Sequence, residues 1–520
     1  MKKPTAQTPL LVPSLSACLL AMCTSGPTFG QGAADLEAVL DSARRAAGWA
    51  QLDPGQQLRL TGKVTYLGVE ETFIEDFARD GRFRTVFEEE LTREVRFDGQ
   101  GVHLAEYSAL WHELEFFGRE AALLRAWVHG GYWLDPSVPL SIGNAQTPAP
   151  DGLIGLDLRI DGGRLGARVE LDAEDHLVRT LSLDTGNGVL RTEYAGHAAV
   201  EGLWIAHEVR GQMSMGTEYT LTVLEAGFEP LDAGVFTPAP VEPDFVFDFD
   251  AVPDVEVVRS KSKHLWVRAR VNGEDLGLFL FDTGAGFSGI SVEAADKLGL
   301  SAFGSSSMTG LGGEVTTTRM RRAETLQIGP LTIENLVFCE IPVARKERMV
   351  GEKVAGVLGW DVMRRAVVDL EPRGKLRLYE PTTYELADGQ WHPMNLHYKV
   401  PYISGRFAED REGLFMLDCG AAGMTVMFFH HAAKALGFLE ENTTPTSTGH
   451  GAGGSFERRL DHLDWFELAG EHVDDLTIIV STAADGEADP YSLGLIGGGL
   501  LRLYRLVFDY PNKRVAILPL

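Results

Sequence analysis

Between residues 255 and 520 the chain passes twice through one series of elements, and that repetition limits its folds more than any single motif does. The first pass opens with an alternating strand at 264–271 and a hairpin turn at Asn272 and Gly273. Leu278, Phe279, Leu280 and Phe281 then form an unbroken apolar run, the pattern of a strand buried on both faces. It ends on Asp282, Thr283, Gly284 and Ala285. A carboxylate at the tip of a buried strand is costly without partners, so Asp282 needs a reason to be there. Gly284 lets the backbone turn at little steric cost. A short helix at 292–298 follows, capped by Ser291 and stopped by Gly299. A glycine-rich hairpin at 309–314 comes next, then Val357, Leu358 and Gly359, a helical turn, and a strand ending near Tyr379.

The second pass keeps this order. Strands at 400–403 and 414–417 lead into Asp418, Cys419, Gly420 and Ala421, and a helix at 428–436 stops at Gly437. Residues 448–454 are again glycine-rich, and Leu495, Ile496 and Gly497 stand where Val357, Leu358 and Gly359 stood. Gly359 follows Asp282 by 77 residues, and Gly497 follows Asp418 by 79. Two strand-borne carboxylates in two similar units point to one shared site.

Here the chain resembles the pepsin-like and retroviral-type aspartic peptidases. Their marks are Asp-Thr/Ser-Gly on one strand and, later, two apolar residues and a Gly packed beneath it. Both marks stand twice, the second time with Cys419 in the Thr/Ser place, and two units in tandem look like an intramolecular dimer. The resemblance implies a mainly β, bilobal unit of the pepsin-like/retropepsin-like double-β-barrel kind, lobe 1 at 255–385 and lobe 2 at 386–520. It also implies a monomer with its site between the lobes, a polypeptide substrate, no cofactor and no metal.

Asp282 and Asp418 would then form the catalytic dyad. Gly284 and Gly420 would offer N–H groups to the carboxylates, and Thr283 would donate its hydroxyl across the lobe interface. Cys419 departs from the pattern. A thiol is a weaker donor than a hydroxyl, so the expectation is a weaker interlobe bond and reduced rather than absent activity. Gly310, Gly312 and Gly313 in one hairpin, and Gly449, Gly451 and Gly453 in the other, are read as flaps that close over substrate. His450 is read as an exposed loop residue. His430 and His431, with no third ligand at metal spacing, are read as structural.

Two carboxylates at ~3 Å repel by roughly 5 kcal/mol at an effective dielectric near 20. That separates their titrations by about 3–4 units at most, so one proton is shared and the apparent values belong to the pair. The ionised partner can take a proton from a bound water while the protonated one polarises a carbonyl.

Residues 31–240 read as an antiparallel β half-barrel with one helix. Leu36, Val39, Leu40, Ala43 and Ala47 give helical spacing before Gly48, and alternating strands follow at 58–66, 83–87, 155–160, 167–171, 178–183 and 219–224. With a late strand at 202–207, this pattern resembles the periplasmic lipoprotein-carrier half-barrels. The resemblance implies a lipid or lipoprotein ligand in an apolar cavity. The residues themselves equally allow a closed core: Trp111, Phe116, Phe117, Trp127, Tyr132 and Trp133 line a cavity or fill it. A third Asp-Thr-Gly, at Asp184, Thr185 and Gly186, runs into a turn and another alternating strand and reads as a hairpin tip. The proline-punctuated, acidic segment 241–254 reads as a linker.

Lys2 and Lys3 precede an apolar stretch at 10–22, the form of a secretory signal over 1–30. Leu15, Ser16, Ala17 and Cys18 also resemble a lipoprotein-processing box, so a periplasmic or secreted protein is expected, soluble or lipid-anchored. The formal charge of −27 argues against nucleic acid as a partner. Cys339 and Cys419 show no spacing that suggests a disulfide framework. The reading is an exported aspartic endopeptidase. Its rival is a non-catalytic envelope protein that binds lipid or lipoprotein and keeps degenerate lobes as scaffold. No Gly-x-Ser-x-Gly or His-Glu-x-x-His stands in the chain.

Overall fold

A computed structural model describes residues 36–49, 52–107, 110–143, 152–185, 188–213, 217–261, 263–371, 374–439, 446–451, 453–482 and 491–520. The signal segment expected at 1–30 and Gly186 lie outside them. The molecule is mainly β.

Thirteen strands make one N-terminal sheet in which Gln56–Tyr66 lies between Val69–Ala78 and Glu218–Pro230. Its edges, His112–Glu113 and Leu140–Gly143, do not pair with each other. Helix α1 (Leu36–Ala47) buries Val39, Leu40 and Ala43, as its apolar spacing predicts. A second helix, α2 (Phe116–His129), corrects the expectation of one. It buries Phe117, Ala121, Leu124, Trp127 and Val128. Enclosed by the sheet, it is apolar around most of its circumference and lacks the polar stripe that betrays a surface helix. The strand expected at 202–207 is also shorter: Leu203–Ile205 pairs only with Ala198–Val200, off the main sheet.

The two lobes share one hydrophobic core. Beneath them, Val367–Glu371 of lobe 1 pairs antiparallel with Tyr504–Asp509 of lobe 2 in a six-stranded sheet. Above it, Glu274–Phe281 runs parallel to Val354–Leu358, and Arg411–Asp418 runs parallel to Ser492–Gly497. Both registers slip at corresponding places, after Leu278 and after Leu414. Gly356 and Gly494 sit at these slips. A Cβ there would lie 2.0 Å from the Gly289 carbonyl oxygen and 1.9 Å from that of Met427, so only glycine fits.

In lobe 1, α3 (Val292–Lys297) is capped by Ser291, whose Oγ accepts from Ala294 N at 3.1 Å. Helices α4 (Ala344–Val350) and α5 (Trp360–Met363) follow, and lobe 2 carries α6 (His430–Ala435) and α7 (Gly498–Leu501). The segment read as a linker is docked rather than free. Phe245–Phe247 adds a strand beside Leu331–Glu334, and Asp244 accepts from Arg365 Nε at 2.8 Å.

The N-terminal sheet and α2 sit against both lobes. Lys513 pairs with Glu113 at 2.8 Å and Glu115 at 3.0 Å, and Lys399 pairs with Glu106. Arg364 donates to the Leu110 carbonyl at 2.7 Å, and Tyr491 donates to Glu120 of α2. Phe116 and Phe117 pack on Tyr491 and Tyr398.

Candidate active site

The parallel strand pairs carry Asp282 and Asp418 to the same point, where the two carboxyls act on each other's ionisation. Each motif glycine faces the carboxyl of the opposite lobe. A Cβ on Gly284 would lie 2.6 Å from Asp418 Cγ, and one on Gly420 would lie 2.3 Å from Asp282 Cγ. Gly284 N donates to Asp282 Oδ1 at 2.9 Å, and Ala421 N donates to Asp418 Oδ1 at 2.9 Å.

The lobes are tied beneath the carboxyls. Thr283 Oγ1 donates to the Leu417 carbonyl at 2.7 Å and accepts from Cys419 N at 2.9 Å. On the other side Cys419 Sγ accepts from Thr283 N at 3.4 Å and donates to the Phe281 carbonyl at 3.5 Å. The thiol thus reaches both partners, at the longer distances its size imposes. Burial pushes the Cys419 thiol up to about 12, so it stays protonated and weakly reactive at neutral pH. Cys339 and Cys419 are both free thiols.

Both carboxyls lie above the ordinary carboxylate range. Burial is the first cause in each, and Asp282's charge adds to the rise at Asp418. The surroundings are unequal: Lys346 of α4 and His264 favour the charged form of Asp282. That asymmetry favours charge on Asp282 over Asp418. Tyr510, its hydroxyl buried without a partner, feels both carboxyls and Cys419.

Both glycine hairpins reach the same cavity and meet. Glu314 N donates to the Gly453 carbonyl at 3.0 Å, and a Cβ on Gly312 would lie 2.1 Å from that oxygen. Gly310 N stands beside Gly453, and Gly451 approaches Leu311. Gly313 N closes a turn onto the Gly310 carbonyl at 2.8 Å. Gly449 lies back in its strand against the Phe456 ring. His450 is exposed and bonds Ser455 Oγ at 2.9 Å, while His431 bonds the Ser492 carbonyl at 2.9 Å. Asp184 ends a strand of the N-terminal sheet and Thr185 N donates to the Gly188 carbonyl at 2.9 Å; Thr185 lines the same cavity as the paired carboxyls but from the N-terminal sheet.

One cavity of about 1490 Å³ joins this site to the N-terminal sheet. Asp282, Asp418 and both glycine hairpins line one part, and Tyr66, Phe87, Phe117 and Tyr219 line another. Sequence reading missed Lys346, Tyr510 and the register glycines Gly356 and Gly494. The glycines were recoverable by carrying the repeat alignment past the motifs, since each precedes its late glycine by three residues. Lys346 and Tyr510 have no local signal, because only the fold brings them to the carboxyls.

Residues 267–362 match a family model described as aspartyl protease. No curated protein matches the chain. Among solved structures, it is similar to a domain from Vibrio parahaemolyticus named for outer membrane lipoprotein sorting, at 12% identity and TM-score 0.28, covering 39% of this chain and 97% of that one. It is also similar to a DUF1329 family protein from Desulfovibrio piger, at 14% identity and TM-score 0.29, covering 39% and 96%.

Proposed function

We propose that the chain is an exported aspartic endopeptidase that hydrolyses peptide bonds with a water activated between Asp282 and Asp418. The observation that carries this reading is the pair of facing carboxyls, each packed against the opposite lobe's motif glycine. Asp282, charged and favoured by Lys346, accepts a proton from the water as it attacks the scissile carbonyl. Asp418 donates its proton to the carbonyl oxygen, so the tetrahedral intermediate forms as a neutral gem-diol. Asp282 then returns the proton to the departing amine, Asp418 recovers its own from the collapsing diol, and the starting state is restored. Flaps that meet above the carboxyls exclude bulk water during these steps. No metal takes part in this scheme.

The rival reading, a non-catalytic envelope binding protein, draws support from the large cavity beneath the N-terminal sheet. One assay separates the two. Purified mature protein is incubated with a denatured protein from pH 3 to 8, with and without pepstatin, beside Asp282→Asn. Pepstatin-sensitive cleavage lost in the variant supports the peptidase. No cleavage at any pH favours the binding protein.

A further inference from the structure

Arg125 lies on α2 in the wall of the cavity that also holds the two aspartates. Its Nη2 donates to the Gln212 carbonyl at 2.7 Å, and its Nε is sealed from solvent with no partner. Burial pulls its pKa down while Tyr219 and Tyr194 oppose that fall, and among the described residues it forms no ion pair. Other charges on this wall are matched: Arg93 and Lys399 share Glu106, and His129 meets Glu75 at 3.0 Å. A guanidinium offers a planar fork of donors that fits a carboxylate, and this one is half-buried with its Nε sealed from water.

The surroundings define what such an anion would be attached to. Tyr66, Phe87, Val95, Leu104, Phe117 and Leu221 give the same part of the cavity an apolar lining. Burial holds the phenols of Tyr194 and Tyr219 in their neutral, proton-bearing form. Tyr398 packs on Phe117 of α2, and its backbone carbonyl would lie 2.7 Å from a Cβ on Gly286, four residues past Asp282. Arg125, Tyr398, Gly286 and both aspartates line one continuous cavity.

We propose that the part of the cavity beneath the N-terminal sheet binds an apolar chain ending in a carboxylate, with Arg125 as its anion anchor and the rest of the chain leading toward Asp282 and Asp418. That the chain's far end is cleaved rests on the peptidase reading; that it binds does not. A fatty acid and the C-terminus of an apolar peptide both carry this chemistry.

The test uses full-length mature protein bearing Asp282→Asn, so binding is read without turnover. The probes are 11-(dansylamino)undecanoic acid and its methyl ester, and a dansylated apolar hexapeptide with a free or amidated C-terminus. In at least one pair the acid is expected to bind about tenfold or more tightly than its neutral form. Arg125→Met brings that ratio close to one, and Arg125→Lys keeps part of it. Discrimination in the lipid pair alone identifies a lipid carboxylate, and in the peptide pair alone a polypeptide end. Equal binding of acid and neutral forms in both pairs overturns the proposal, as does an unchanged ratio in Arg125→Met. If Arg125→Met does not fold, the ratio in Arg125→Lys decides: a decrease supports the anchor and no change removes it. A protein that binds the acids selectively yet never cleaves would sink the peptidase reading and leave this site standing.

Discussion

Lobe 1 and lobe 2 reach one geometry with different side chains. Thr283 ties its lobe across the interface at 2.7 and 2.9 Å, while Cys419 makes the corresponding contacts at 3.4 and 3.5 Å. What the lobes share is set by backbone approach. Gly284 and Gly420 pass under the opposite carboxyl, and Gly356 and Gly494 fill the register slip, all places where a Cβ has no room. What they do not share is a side-chain bond, whose strength can be graded without breaking the fold. The aspartyl protease match ends at residue 362, inside lobe 1, although lobe 2 repeats its strand pairing and register.

The severest test of that equivalence is the shared cradle. Gly420→Ala places a methyl against Asp282, and Gly284→Ala places one against Asp418. Each is expected to cut turnover on a denatured protein substrate by about 10³-fold, the scale of a lost acid or base. Tolerance of either one would break the symmetry.

The interface bond comes next. Thr283→Val leaves the Cys419 N–H and the Leu417 carbonyl without their partner and should cost about 1–3 kcal/mol in urea unfolding. Cys419→Val should cost less than about 1 kcal/mol, because longer sulfur contacts are weaker. Equal losses would mean the thiol is as good a tie as the hydroxyl. Cys419→Thr should raise turnover; unchanged or lower turnover would remove the idea that the thiol weakens the site.

Asp418→Asn sharpens the electrostatic half of the comparison. The Asp418 carboxyl is held well above its ordinary value by burial and by Asp282, so the folded state binds that proton more tightly than the unfolded state. Its contribution to stability is present in acid and is lost as pH rises toward the folded value. Asparagine cannot ionise, so the variant should melt about 2 °C or more above wild type at pH 7. That advantage should vanish at pH 3. The smallest effect is expected at Lys346, which favours the charged form of Asp282. Lys346→Met should move the acid limb of the pH–rate profile upward by a fraction of a unit; a downward shift would contradict its assignment.

Much of this arrangement is legible in the sequence because a repeated strand ending in Asp-x-Gly has few structural solutions. Asp282 and Asp418 are singled out by their apolar approach and matched spacing, and Ser291 and Gly299 bound α3 as capping rules require. Helix α2 was hidden because a helix wrapped by a sheet has no polar face to reveal its period. The segment 241–254 looked free because its prolines and acidic residues dominate the short strand Phe245–Phe247. The surroundings of Lys346 and Arg125 are set by the fold alone, and local pattern carries no trace of them.

The central claim is that the two lobes contribute equally necessary halves of one site. It is tested most directly by assaying Asp282→Asn and Asp418→Asn side by side, with fold checked by circular dichroism, against pepstatin-sensitive cleavage by wild type. Both variants are expected to lose cleavage by about 10³-fold or more while remaining folded. Retained cleavage in folded Asp418→Asn would contradict the account and reduce lobe 2 to a scaffold.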